Sequence, residues 1–372
     1  MHGIYTSLGL MSGTSGDGVD ASVINSDGED RFEVIKDKYY EYDSGIYKEI
    51  HNLKERIFNK NDLNKLAKEL SDLERKITLY HAKIVNDLNF NNKDIIVGFH
   101  GQTIYHNSNE KISRQLGDGK LLNQLTKKKI VFNFRKKDIE NGGEGAPLTP
   151  IFHQVLVSKY RINLPVCILN IGGISNITII KKLIGSKEIF SKDLGPGNCL
   201  IDTWVRKNSN LKFDDNGKLA SQGKKNEIIF EQAQELYSNR INRKKLSYDV
   251  NDFDISFSRG LSLEDGTATL TAFTSSIIAE SLSEELSKHV SIKEILICGG
   301  GRKNQILVEA IKNDLNSKIQ LKKIDDYDIN GDFIESQAFG YIAIRTIKDL
   351  PITFPNTTNC LSPITGGEII GN

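Results

Sequence analysis

No run of the chain reaches the roughly 18 consecutive apolar residues that a membrane-spanning helix requires, and no basic stretch leads into an apolar core at the start. These absences predict a cytoplasmic protein with no membrane partner. An excess of one charge is also lacking, since 49 Lys and Arg face 48 Asp and Glu for a formal net charge of +1. Such a balance offers no global field to draw in nucleic acid, so a charged ligand must be held by a local site. Cysteine is sparse: Cys167, Cys199, Cys298 and Cys360 are scattered with no C-x-x-C pair, which disfavours a zinc site or a disulfide framework and reads as four buried small residues. Common catalytic signatures are missing too, with no G-x-x-x-x-G-K-[ST] loop, no G-x-G-x-x-G between strand and helix, no H-R-D with D-F-G and no H-E-x-x-H. A phosphate-handling protein of this sequence needs another scaffold.

What is present, 372 residues with 38% apolar and 26% charged content, suits about two globular domains. The segment "LGLMSGTSGDGVDASVI", Leu8 to Ile24, places glycines, hydroxyls and two aspartates between two alternating apolar stretches, a strand, a tight turn and a strand. Ser12, Thr14 and Ser15 offer hydroxyls; Gly13, Gly16 and Gly18 let the backbone approach a ligand; Asp17 and Asp20 supply carboxylates. Backbone N–H groups in such turns make anion-binding concavities, and a nearby carboxylate suits magnesium that also touches phosphate. The competing reading is a surface turn closed by its own Asx and Ser/Thr hydrogen bonds. "PVCILNIGGISNITII", Pro165 to Ile180, repeats the strand, Gly-rich turn and strand, and this second copy favours phosphate. Two related halves that open on such hairpins would set them facing one another across a cleft. Ile46 to Leu88 keeps apolar residues at helical spacing, "EILICGGGRKNQILVEAIKNDL" reads as a strand, a glycine turn and a helix, and the break at Glu140 to Pro150 marks a boundary.

Further constellations carry chemistry. Asp193 precedes Gly195-Pro-Gly197 at a strand end, and Asn198 is a candidate cap for the helix begun by "CLIDTW"; an aspartate so held is a candidate general base, against the reading of a structural turn aspartate. Arg135, ahead of Asp138 and a glycine turn, is a candidate clamp for a substrate carboxylate, against the reading of an exposed basic run. Gln102 and Thr103 follow a strand and are candidates to line a cleft, whereas His100 and Asp202 read as structural. Gly299, Gly300, Gly301 and Asn304 lie where the adenine and ribose of a nucleotide would be received, against a plain βα turn.

Taken together and in order, "GLMSGTSGDGVD", "HGQTIYH", "NFRKKDIENGGEGAPLTP", "LNIGGISNIT", "DLGPGNCLIDTW", "ICGGGRKN" and "ESQAFGYIAIR" resemble the anhydro-N-acetylmuramic acid kinases across nearly the whole chain. The resemblance implies an α/β fold of two ribonuclease-H-like, actin-like ATPase domains with an interdomain cleft for ATP and substrate, divided as 1–140 plus about 350–372 and 141–349. It implies an ATP- and Mg2+-dependent kinase of peptidoglycan recycling. Water opens the internal 1,6-anhydro bridge of the sugar, and the departing O6 takes the γ-phosphoryl group, giving N-acetylmuramic acid 6-phosphate and ADP. Asp193 matches the aspartate that activates water. Gly13, Thr14, Ser15, Gly16, Asp17, Gly18, Val19 and Asp20 match the ATP loop, with Asp17 and Asp20 candidates for magnesium; Asn170, Gly172, Gly173 and Asn176 belong to the second phosphate hairpin. Ser12, Gln102, Thr103, Arg135, Gly195, Gly197, Asn198 and Glu335 match the sugar side. A homodimer is the further partner that the resemblance raises.

Three features depart from the family pattern: Glu144 in "GGEGAP", where glutamine is usual, the small Gly16, and the loosely matching "KKLSYDVNDFDISF". They bear on substrate preference more than on reaction class. Two rivals remain at this level: a kinase for an ordinary hydroxyl or carboxylate, and an ATPase of the actin or chaperone type that uses no sugar.

Overall fold

The computed structural model describes residues 3–88, 94–183, 188–240, 247–289, 291–315 and 319–371. Lys244, Lys245 and Leu246 of the loosely matching segment lie outside the described residues. By contact the chain forms two compact units, one of Met1–Asn163, Lys182–Ser191 and Asp332–Asn372, the other of Leu164–Lys181 and Lys192–Gly331.

The first unit is built on a hairpin. β1 (Tyr5–Ser12) and β2 (Gly18–Ser26) pair antiparallel, from Tyr5 opposite Ser26 to Met11 opposite Asp20, and β3 (Phe32–Glu41) continues outward from β2. On the other side of β1 lie β4 (Ile96–Asn107) and then β6 (Lys129–Phe132), both parallel, while β5 (Ile112–Leu116) folds back on β4 and the strand Glu368–Ile370 closes the edge beyond β6. In the other unit β7 (Val166–Ile171) and β8 (Ile174–Ile180) pair antiparallel, β9 (Ile189–Pro196) follows β8, and β10 (Glu294–Cys298) and β11 (Gln320–Lys323) add parallel strands beyond β7. Both sheets therefore run third, second, first, then two parallel strands. The repeated ribonuclease-H-like order accounts for the two similar Gly-rich hairpins read from the sequence. β7 is buried along its whole length, as its apolar run Val166–Leu169 requires of a strand covered on both faces.

The units differ from the sequence-based division in three segments, 141–163, Lys182–Ser191 and 332–349, and packing accounts for the first and last. The helix Pro150–Lys159 belongs with the first unit, where Phe152 packs edge-on to Phe32 at 5.0 Å and against Tyr341 at 5.5 Å. The helix Ile334–Ile347 lies against β1, β2 and β4 of the same unit. Its backbone comes so near the sheet that a Cβ on Gly98 would stand 2.2 Å from the Phe339 carbonyl, and one on Gly9 1.8 Å from that of Ser336. Only glycine permits that approach, and the pair sits side by side in the β1–β4 register. Ser7 Oγ then donates to the Gly340 carbonyl at 2.9 Å.

The core of this unit runs from Leu8, Leu10 and Val97 on the strands to Ile50, Leu73 and Ile77 on the helices Ser44–Lys54 and Ala67–Asp87. All four cysteines are buried, as their scatter suggested. Among the described residues no helix is long and apolar enough to cross a membrane.

Burial holds two histidines neutral. It lowers His81 to about 4 and His153 to about 3, with the Ile77 carbonyl on His81 Nδ1 opposing the shift only partly. Both folded values lie below the ordinary 6.5, so the unfolded chain binds more protons once the pH drops below that value. Stability present at neutral pH should therefore fall on acidification from pH 7 toward pH 4, at up to about 1.4 kcal/mol per pH unit for each histidine. Chemical denaturation across that range checks this, and replacing both histidines by phenylalanine should flatten the slope; an equal slope in the double variant would assign acid sensitivity elsewhere.

Candidate functional site

The opening turn carries little side-chain bulk, so its shape depends on bonds that reach it from other elements. Gly16 N–H donates to the Gly13 carbonyl at 3.1 Å, with Gly16 at φ +62°. Gln102, fully buried on β4, donates from Nε2 to the Gly13 carbonyl at 2.9 Å, and its Oε1 accepts from Ser12 Oγ at 2.5 Å. Ser12 Oγ also lies 2.9 Å from the Gly18 carbonyl. These two side chains stand opposite one another in the β1–β4 register. The structure thus uses both ends of the Gln102 amide, and the hydroxyl of Ser12, to clamp the turn.

Thr14 and Ser15 occupy the exposed tip, and Ser15 Oγ donates to Asp17 Oδ1 at 2.6 Å. The Asp17 carbonyl accepts from Tyr42 N–H at 2.9 Å. Val19 turns its side chain into the core, so only its backbone can meet a ligand. Asp20 sits between Met11 and Tyr39 across the strands. Burial, followed by the carboxylates of Asp17, Glu41 and Asp20, pushes the Tyr39 phenol far up. Asp17, Asp20 and Glu41 thus gather carboxylates near Tyr39. Among the described residues no group of three or more His, Cys, Asp or Glu gathers as a metal cage; the carboxylates of the turn itself are Asp17 and Asp20.

Arg135 is held by a neighbour that reads as structural in the sequence. His100 Nδ1 lies 2.7 Å from the Gly101 carbonyl, which makes it the protonated nitrogen, and Nε2 accepts from Arg135 at 3.0 Å (Nη2) and 3.3 Å (Nε). Burial and the guanidinium push His100 well below the usual imidazole range, keeping it a neutral acceptor. Arg135 Nη1 donates to the Gly145 carbonyl at 2.8 Å, tying the arginine to the "GGEGAP" loop. Fully buried Asp138 organises that loop by accepting from Gly145 N–H at 2.8 Å and Thr358 Oγ1 at 2.6 Å. Glu144 is built in rather than left in solvent: its N–H donates to the Thr358 carbonyl, and Asn359 Nδ2 donates to its Oε1 at 3.3 Å. Thr103 Oγ1 accepts from Gln115 Nε2 at 3.2 Å, and Glu335 lies half-buried in the first turn of the helix Ile334–Ile347.

In the second unit the Gly172-Gly173 turn is braced by the start of a helix. Gly197 N–H and Cys199 N–H donate to the Gly173 carbonyl at 2.9 and 3.2 Å, and Asn198 N–H to that of Gly172 at 2.8 Å. A Cβ on Gly197 would meet the Gly172 carbonyl at 2.2 Å, so this approach requires glycine at 197. Asn198 occupies the cap position of the helix Cys199–Asn208 without a side-chain cap; its helical φ and ψ turn the side chain toward the Ile171 carbonyl at 3.5 Å instead. Ser175 Oγ reaches the Gly195 and Pro196 carbonyls, both at 3.1 Å. Just before them, buried Asp193 accepts from Tyr248 N–H on Oδ2 at 2.8 Å. Asn176 Oδ1 is buried with no partner among the described residues, an orphaned acceptor in the second hairpin.

The Gly299–Gly301 turn follows β10 and abuts the same hairpin, since a Cβ on Gly299 would fall 2.3 Å from Asn170 Oδ1. Arg302 fixes it, with a bidentate pair to Asp325 at 2.7 and 2.9 Å and a third bond to the Gly299 carbonyl. Asn304 caps the helix Gln305–Asp314 by accepting from Leu307 N–H at 3.1 Å. Its side-chain oxygen is thereby committed to the helix.

The family model for anhydro-N-acetylmuramic acid kinase matches residues 5–371. The chain belongs to the anhydro-N-acetylmuramic acid kinase family. It is 52% identical over 375 residues to the anhydro-N-acetylmuramic acid kinase of Pelagibacter ubique (strain HTCC1062), with all of both chains covered. Against the enzyme of that name from Zymomonas mobilis subsp. mobilis (strain ATCC 31821 / ZM4 / CP4) it is 36% identical, covering 97% of this chain and 98% of the other. The resemblance places Ser12 and Gln102 on the sugar side, and the structure shows in addition that they bond to one another and to the first turn. Sequence alone had also passed over Tyr248, Ser175 and the bracing role of His100. His100-Gly101-Gln102, adjacent in sequence, was the available signal for the last of these.

Replacing Gln102 by methionine keeps the volume and removes one of two partners from both the Ser12 hydroxyl and the Gly13 carbonyl. Stability should drop by about 1–2 kcal/mol, and amide exchange should accelerate from Gly13 to Gly18. Exchange at the wild-type rate in that turn would remove Gln102 as its clamp.

Proposed function

We propose that this chain opens 1,6-anhydro-N-acetylmuramic acid with water and transfers the γ-phosphoryl group of ATP to the released O6. The products are N-acetylmuramic acid 6-phosphate and ADP. Full-length kinship with the anhydro-N-acetylmuramic acid kinases supports the reaction class. The observation that carries the mechanism is Asp193: a carboxylate buried at a strand end and held on Oδ2 by Tyr248 N–H, the residue type and setting of a general base.

The steps balance without a further reactant. Asp193 removes a proton from water as its oxygen bonds to the anomeric carbon, the bridge C–O bond breaks toward O6, and that oxygen displaces ADP from the γ-phosphorus. Magnesium, held through Asp17 or Asp20, would neutralise charge on the phosphates. The two braced hairpins and the Gly299–Gly301 turn are assigned to ATP. Arg135, oriented by His100, is assigned to the lactyl carboxylate of the sugar. The reading also keeps the protein in the cytoplasm, where ATP is available, and leaves a homodimer as its assembly.

Asp193→Asn retains shape and the acceptor facing Tyr248 but removes the base. Sugar-dependent ADP release should fall by about 10^2 to 10^4-fold while ATP binding, followed by calorimetry, stays within about twofold. Turnover at the wild-type rate would take Asp193 out of the mechanism. Arg135→Ala should chiefly raise the sugar KM; an effect on ATP affinity alone would reassign the arginine.

A further inference from the structure

The first turn poses an electrostatic problem for the function proposed above. Between Ser12 and Asp20 its only charged side chains are Asp17 and Asp20, and their field is strong enough to help push the Tyr39 phenol up. Phosphate oxygens brought to that turn meet like charge. Magnesium offsets part of it, yet phosphoryl transfer also calls for fixed positive charge on the protein.

The helix Ser44–Lys54 delivers such a charge. It begins at the Asp43 cap, directly after Tyr42, whose N–H donates to the Asp17 carbonyl, and it buries Ile46, Ile50 and Leu53. Ile50 lies beneath the turn, where a Cβ on Gly16 would meet its Cγ2 at 2.9 Å. Lys54 comes four residues later and so projects from the same face of the helix. Its Nζ donates to the Thr14 carbonyl at 2.7 Å. A lysine in a last helical turn commonly complements that helix's own dipole; here the ammonium instead bonds to the exposed tip of the hairpin.

We propose that Lys54 is a phosphate-binding residue of this chain: its ammonium, docked on the Thr14 carbonyl, meets the phosphates of the nucleotide at the first turn. An ammonium has three donors, and the Thr14 carbonyl takes one of them. The proposal rests on the ATP assignment of that turn and extends it to a residue about forty positions downstream, outside every motif that carries the family resemblance.

Three variants of the full chain separate charge from hydrogen bonding: Lys54→Met keeps the stem, Lys54→Gln keeps a neutral donor for Thr14, and Lys54→Arg keeps the charge. Calorimetry with ATP, with ADP and with phosphate-free adenosine gives the readout, and melting checks that each variant folds. ATP binding should weaken at least about tenfold in both Met and Gln variants and much less in Arg, with adenosine binding unchanged in all. Wild-type ATP affinity in the Gln variant would overturn the proposal and leave Lys54 as a brace for the turn, as would equal losses for ATP and adenosine. Should Lys54→Met not fold, the Gln and Arg variants decide alone. Wild-type protein that binds ATP yet releases no ADP with the sugar would overturn the kinase reading and leave the binding test of Lys54 intact.

Discussion

Two glycine-rich turns hold their shape because buried polar groups from distant parts of the chain bond to their backbones. In the first, the Gln102 amide spans Ser12 and Gly13. In the second, the carbonyls of Gly172 and Gly173 are taken by N–H groups of Gly197, Asn198 and Cys199. A turn without side chains loses much conformational entropy on ordering, so a binding surface made of its backbone requires this external support. The supports also couple functions. Bracing the second hairpin fixes Gly195 and Gly197, and the same strand end carries Asp193. Clamping the first hairpin uses the residue after Gly101, whose carbonyl sets the His100 tautomer that in turn orients Arg135.

Charge is handled with the same economy. The net charge of +1 gives no help over distance, so each anion-handling group has its own local arrangement. Arg135 bonds to a histidine that burial and the guanidinium keep neutral. Arg302, by contrast, is paired bidentately with Asp325 and serves the turn it holds. The two arginines illustrate why position in a motif does not assign a role: the partner does.

Much of the fold was legible from period-two alternation broken by Gly-rich turns. Both hairpins and the βα unit at Gly299 lie where alternation and punctuation put them, because those signals are local. The allocation of the helices Pro150–Lys159 and Ile334–Ile347 was not, since it depends on contacts such as Phe152 with Phe32 and on a backbone approach permitted by Gly9 and Gly98. The site shows the same division. Asp193 and Arg135 stand out by residue type and setting. Ser12, Gln102 and Asn304 carry polar side chains whose partners lie across the sheet or one helical turn away, and a pattern of residue types does not reveal that they are already occupied. Nor does a pattern reveal that Lys54, in an ordinary amphipathic helix, reaches Thr14.

The central claim is that water opens the anhydro bridge while O6 takes the phosphoryl group. Incubating the protein with ATP, magnesium and 1,6-anhydro-N-acetylmuramic acid in oxygen-18 water, and following ADP together with the mass of the sugar product, tests it most directly. The account predicts one ADP per sugar consumed and a 6-phosphorylated product carrying the heavy oxygen at its anomeric carbon. ADP released at the same rate without the sugar, with no new sugar phosphate, would contradict it.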